Sequence, residues 1–122
     1  MQLLNHALRV YVEPAQLDRA IRFYEALQGK PCERRIAFPD RGIDVAVIGA
    51  FVLLAGSADA LAAVRDAQAV AFVDSLDDAV AWLRDNGAVL LHEPHAAPGG
   101  RNVTARHPDG LVVEYYEADR TT

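Results

Sequence analysis

Four histidines, one cysteine and a scatter of carboxylates are the side chains here whose types admit chemistry. His92 and His95 stand in a His-Glu-Pro-His run. Two imidazoles can share a metal, but Pro94 bars the helical turn that would set them on one face, so the pair is expected in a loop without a metal. Cys32 follows Pro31 and has no histidine close by in sequence, which makes it a bystander thiol rather than a nucleophile. As the single cysteine it excludes an internal disulfide framework and fits a reducing compartment. No basic run exceeds Arg34-Arg35 in a chain of net charge −5. Counterion release therefore has nothing to act through, and nucleic acid is excluded as a partner.

The elements that must position these groups follow from periodicity. Leu3 to Val12 alternates, with Leu4, His6, Leu8, Val10 and Val12 on one face and Leu3, Asn5, Ala7, Arg9 and Tyr11 on the other, which predicts a strand. Leu17, Ala20, Ile21, Tyr24 and Leu27 then recur at the helical period, and Gly29 and Pro31 supply the stop. Three β-prone runs follow at 33–39, 43–48 and 51–55, separated by turn residues. The Ala-rich stretch 56–68 reads equally as a short helix or an ordered connection. A strand over 69–73 and a helix opened by Ser75 as N-cap and closed by Asn86-Gly87 come next. Strands near 88–92, 101–107 and 111–117 finish the chain.

The order β-α-β-β-β thus occurs twice, and Leu17 to Tyr24 lies against Leu76 to Leu83 letter by letter, the pattern of a duplicated unit. At 122 residues, 52% hydrophobic and 24% charged, one globular domain is expected. Its core is real but too small for a large internal pocket, so a sizeable site borrows a second subunit. The first twelve residues have neither the apolar block of a signal peptide nor the length of a membrane span, which predicts a cytoplasmic protein with no membrane partner.

Arg9-Val10, Phe23-Tyr24-Glu25-Ala26-Leu27-Gln28-Gly29, Phe72-Val73-Asp74, Leu76-Asp77-Asp78-Ala79, Asn86-Gly87-Ala88 and the close His107-Pro108-Asp109-Gly110 with Val113-Glu114-Tyr115 carry a resemblance across nearly the whole chain. They look like the vicinal oxygen chelate superfamily of glyoxalases, bleomycin-resistance proteins and extradiol dioxygenases. The resemblance implies an α+β fold of two tandem βαβββ modules, about 1–57 and 67–117, forming a cupped mixed sheet with helices on the outer face. It also implies a homodimer. In members that bind a divalent metal, the ligand positions align to Asn5, Leu53, Gln68 and Glu114, of which only Glu114 is a good ligand. His6, one residue along, is expected to point to the helix layer. If a metal is held at all, the set is Glu114 with Gln68 and His6.

Continuing the alternation through the resemblance gives a cup lined by Asn5, Ala7 and Arg9; Phe51 and Leu53; Gln68, Val70 and Phe72; Asn102, Thr104 and Arg106; and Val112, Glu114 and Tyr116. Trp82, Phe23 and Tyr24 are read as packing residues. The apolar lining with a few polar groups is that of a small-molecule site. The reading that follows is a binding protein without cofactor, sequestering an antibiotic or other metabolite. The alternatives are a metal-dependent lyase, isomerase or dioxygenase, a metal-free enzyme with Glu114 as general base opposed by Arg9 or Arg106, and a dimeric module with no ligand.

Overall fold

Strand-forming residues with the predicted alternation open the chain as β1 (Leu3–Val12). The computed structural model describes residues 1–120, and these divide into two compact units. The amino-terminal unit holds residues 7–66; the carboxy-terminal unit holds residues 1–6 and 67 onward.

In the amino-terminal unit β1 leads through a short 3₁₀ turn into α1 (Leu17–Gln28), followed by β2 (Arg34–Phe38), β3 (Ile43–Ile48) and β4 (Phe51–Ala55). The strand order is β2-β3-β4-β1. β4 runs parallel to β1, with Val10 opposite Leu53 and Val12 opposite Ala55. Helix α1 ends where Gly29 turns left-handed at φ 66° and donates its N–H to the Glu25 carbonyl, a conformation that costs glycine least. Its apolar stripe, Leu17 and Ile21, is buried against Ala46, Ile48, Leu53 and Ala55, with Val10, Val12, Tyr24 and Phe51 around them. Gln28 ties the helix end to the β3–β4 turn by donating to the Ile48 carbonyl at 2.8 Å and accepting from the Ala50 N–H at 2.8 Å. The ambiguous stretch 56–68 contains a short helix, α2 (Ala58–Ala62), started by Ser57, whose hydroxyl accepts the Ala60 N–H.

The carboxy-terminal unit runs β5 (Ala69–Val73), α3 (Leu76–Asp85), β6 (Val89–Leu90), β7 (His95–Ala97), β8 (Gly100–Arg106) and β9 (Val112–Ala118). Its strands are ordered β5-β9-β8-β6, with β7 also paired to β8. The predicted β-α-β-β-β order holds, and the short β7 is an addition that the sequence did not signal. Leu76, Ala79, Val80 and Leu83 fall on one stripe of α3 and are buried with Ala71, Val73, Val103, Ala105, Val113 and Tyr115. Two acceptors hold the start of that helix: the Ser75 hydroxyl takes the Asp78 N–H and a Glu117 carboxylate oxygen takes the Leu76 N–H at 2.6 Å. A carboxylate at this end also complements the helix dipole. The main chain of Gln2 is tied to Asp74 by two hydrogen bonds. Among the described residues no helix is long and apolar enough to cross a membrane.

Two positions in this unit are held unusually tightly. Gly100 lies under the Tyr116 ring, which would sit 2.9 Å from a Cβ added there, and the Glu117 carbonyl is closer still. Tyr115 is buried beneath α3, and its hydroxyl lies 2.6 Å from Nε2 of His107. Burial raises the Tyr115 pKa above its ordinary 10.0, so the phenol stays protonated at neutral pH and shares a hydrogen bond with the His107 ring.

Replacing Gly100 by Ala is therefore expected to destabilise the fold by about 1–3 kcal/mol or more, the range for forced overpacking, as read from urea unfolding. The second expectation concerns alkaline pH. Because the folded pKa of Tyr115 lies above the unfolded one, its contribution is fully present below the unfolded value. It is lost as pH rises through the folded value, since the unfolded chain ionises first. Unfolding midpoints measured through this alkaline range should fall less steeply for Tyr115→Phe than for the unmodified chain.

Candidate ligand site

Burying α3 on one face of β5, β9 and β8 leaves the alternate side chains on the opposite face, open at the partly exposed Phe72, Asn102, Thr104 and Glu114, while Val70 on it is buried. Register places Val70, Glu114 and Thr104 in one row across the strands and Phe72, Tyr116 and Asn102 in the next. His95 is paired to Asn102 and extends that second row. The open face thus carries an apolar and aromatic half next to a polar half.

The polar half is bonded together. Asn102 donates through Nδ2 to Oε2 of Glu114 at 2.8 Å, and this bond sets the orientation of the amide. Its Oδ1 is buried and has no hydrogen-bond partner among the described residues. Nε2 of His92 accepts the backbone N–H of Thr104 at 3.1 Å and lies the same distance from the Thr104 hydroxyl. Because a backbone N–H only donates, Nε2 carries the lone pair, and Nδ1 of His92 donates to the Glu93 carbonyl at 2.7 Å. His95 stacks on His92 with ring centroids 4.2 Å apart, and its Nδ1 meets the Ala96 carbonyl at 3.0 Å. In the aromatic half, Phe72 and Tyr116 meet edge to face at 5.9 Å, and the Tyr116 hydroxyl donates to the Pro98 carbonyl.

Eight of the expected cup residues, Val70, Phe72, Asn102, Thr104, Arg106, Val112, Glu114 and Tyr116, lie on strands of this one unit, and Gln68 immediately precedes β5. Gln68 is exposed and spends its side-chain oxygen on the Val112 N–H at 3.2 Å. Arg106 is exposed at the far end of β8. Asn5 is exposed on the part of β1 that belongs to the same unit. Tyr116 is only 8% exposed, so it packs as well as lines.

In the amino-terminal unit Arg9 donates to the Val64 carbonyl at 3.1 Å and lies over the Tyr11 ring. Leu53 and Phe51 require a correction. Leu53 is 0% exposed and belongs to the core beneath α1, and Phe51 packs on Tyr24 at 4.4 Å. Both face the helix, because β4 pairs in parallel with β1 so that Leu53 stands beside Val10 rather than beside Arg9. His6 is exposed on the opening stretch of β1. The stripe of α1 reaches Val10 and Val12 but not the start of the strand.

His92 and His95, expected in a loop without a metal, stack on each other. Pro94 does exclude a helix, but a bend at Leu91–His92 followed by β7 brings the rings together without one. No side-chain period marks that bend. Trp82, read as packing, is 54% exposed. Phe23 is exposed too, with its edge on Tyr24.

The donor set does not fit the divalent cation that the resemblance implies. Leu53 points into the α1 core, the Gln68 oxygen is committed to a backbone N–H, and Glu114 already accepts from Asn102. Among the described residues no three His, Cys, Asp or Glu side chains come together as a metal site.

No protein-family model matches the sequence, and no curated protein matches it. Solved structures do. An uncharacterized protein from Methanosarcina mazei is 40% identical, with a TM-score of 0.88 over 100% of this chain and 98% of that one. Methylmalonyl-CoA epimerase from Mycobacterium tuberculosis is 22% identical at a TM-score of 0.71, covering 97% of this chain and 90% of that one. A variant of the Streptomyces coelicolor methylmalonyl-CoA epimerase, in complex with 2-nitronate-propionyl-CoA, is 19% identical at a TM-score of 0.67, covering 98% and 100%. The chain therefore belongs to one family with the Methanosarcina mazei protein, and its fold is that of the vicinal oxygen chelate superfamily.

Proposed function

We propose that this protein binds a small organic molecule on the open face of its carboxy-terminal unit, without a metal, and holds it rather than transforming it. The observation that carries the reading is Asn102. Its Oδ1 is a buried acceptor without a partner, a state that costs about 1–3 kcal/mol, and it sits beside Glu114 and in the row of Phe72 and Tyr116. A ligand with an N–H or O–H donor next to an apolar or ring portion would satisfy the amide oxygen and cover Phe72. The donor set around Glu114, with one anionic ligand, supports the absence of metal from the reading. An intracellular homodimer is part of the proposal. Support for it comes from the apolar side chains each unit leaves exposed, Leu3 and Leu4 in one and Leu8, Phe23 and Leu27 in the other, which a monomer has reason to cover.

A second reading rests on the same carboxylate. Glu114 is half-buried on the open face and accepts a hydrogen bond from the Asn102 amide, and similar folds belong to epimerases, enzymes that invert a stereocentre. Glu114 would then be a general base removing a proton from bound substrate, with Asn102 as the positioning residue.

Native mass spectrometry of protein purified from its own host reads the first proposal directly. It is expected to show a dimer carrying an added small-molecule mass and no metal mass. The adduct should be lost in Asn102→Ala and retained in His6→Ala. A metal mass that disappears with Glu114→Ala would overturn the metal-free reading. The two readings separate on Glu114→Gln in deuterated water: a binding protein leaves the carbon-bound hydrogens of the bound molecule unlabelled with either residue. A Glu114 base labels it at one carbon, and the glutamine variant slows that labelling by about a hundredfold or more.

A further inference from the structure

The helix-covered side of the carboxy-terminal unit has a cavity of its own, about 490 Å³ in volume, within the range of small-ligand sites. It lies on the opposite face of the strands from Glu114, because Tyr115 lines it and successive strand residues point to opposite faces. Its walls come from the end of α3 with the following loop, from the β8–β9 turn and from Tyr115 in the middle of β9. The residues that matter are Trp82, Asn86, His107, Pro108, Asp109 and Tyr115.

Three features of this lining point to one kind of occupant. First, it offers aromatic surface. Trp82 is the only tryptophan of the chain and is more than half exposed, and Tyr115 and His107 supply two more rings whose hydrogen bond to each other fixes their positions. Second, the charge is of one sign. Asp109 lines the cavity and no lysine or arginine does, in a chain of net charge −5. Third, the polar groups nearby are already partnered in ways that hold the walls still. Asn86 donates to the Trp82 carbonyl at 2.8 Å, and Oδ1 of Asp109 accepts the Leu111 N–H at 3.2 Å. An exposed indole face beside a carboxylate attracts a cation through the ring quadrupole and through charge, and it repels anions.

We infer that this cavity is a second binding site, for a small organic cation of the arylalkylammonium class, its charged head toward Asp109 and its ring against Trp82. The site is separate from the open face and requires no change there.

Trp82 makes the test direct, since all indole fluorescence of the protein reports on this wall. The full-length protein is titrated with 2-phenylethylammonium and, in parallel, with its neutral counterpart 2-phenylethanol, exciting the indole selectively. The expected result is a saturable change in Trp82 emission with the cation at millimolar concentration or below. The alcohol should bind about tenfold more weakly, the discrimination that a cation–π contact and one exposed carboxylate together provide. Asp109→Asn keeps an oxygen for the Leu111 N–H and removes only the charge, so it should lower the affinity for the cation about threefold, part of the way toward that for the alcohol, while circular dichroism stays unchanged. Trp82→Phe, followed by calorimetry in place of fluorescence, should weaken the cation as well. No saturable change with the cation, equal affinity for the alcohol, or an Asp109→Asn variant that binds the cation as before would each overturn the inference. Because Glu114→Gln lies on the other face, it should leave this titration unmoved. A cation affinity that fell with Glu114→Gln would show that the probe binds elsewhere.

Discussion

Packing Leu76, Ala79, Val80 and Leu83 of α3 onto Ala71, Val103, Ala105 and Val113 sets the parity of three strands at once. In a strand the side-chain period is two, so burying one set of residues commits the other set to the opposite face. Glu114, Thr104, Asn102, Phe72 and Tyr116 share a surface because their neighbours share a core. Each buried leucine or valine of that stripe contributes roughly 1.5–3 kcal/mol, and a one-residue slip of β9 would drive Glu114 into the same space. The chemistry of the open face therefore has no independent support; it is the complement of the hydrophobic face.

Polar contacts at helix ends convert that packing into a defined position. A helix leaves its first N–H groups without internal partners. In α3 Ser75 and Glu117 take two of them, the second from β9 itself, which locks the helix to the strand that carries Glu114. Gln28 does the equivalent work in the other unit, joining the end of α1 to the β3–β4 turn through both ends of its amide. These are long-range pairings, 41 and 22 residues apart in sequence for Glu117 and for the Gln28 contact with Ala50, and no local pattern announces them.

What could be read in the residues divides along the same line. The bounds of β1, β3, β4 and β5, the stripe of α3 and its Ser75 cap were legible because each is a local property: alternation, helical spacing, a capping hydroxyl. The face of Leu53 was not. Phe51-Val-Leu-Leu-Ala55 is apolar throughout, so its own letters do not distinguish inside from outside, and only pairing with Val10 decides. The stacking of His92 on His95 was not legible for a related reason. The exclusion of a helix by Pro94 was sound, but two rings three residues apart can also meet across a bend, and that bend is held by pairing of β7 with β8 and by the Thr104 N–H. Glu114, Asn102 and Tyr116 were placed together by strand parity, whereas the bond between Asn102 and Glu114, and the ring of Tyr116 lying over Gly100, depend on distances that parity does not contain.

The unpartnered oxygen of Asn102 is informative because its alternatives are worse. Turning the amide over would put Oδ1 against a carboxylate oxygen of Glu114, trading a hydrogen bond at 2.8 Å for a repulsion between two acceptors. Replacing the residue by an apolar one would release the buried acceptor at the cost of the bond that orients Glu114. A fold selected only for stability, with a total margin of about 5–15 kcal/mol, has reason to lose an uncompensated cost of about 1–3 kcal/mol. The same amide also holds a carboxylate in place on a face that carries Phe72. Such a pairing of an oriented acid with an idle acceptor is a local expense that folding alone does not require, and it is the feature on which the proposed recognition of a donor group rests.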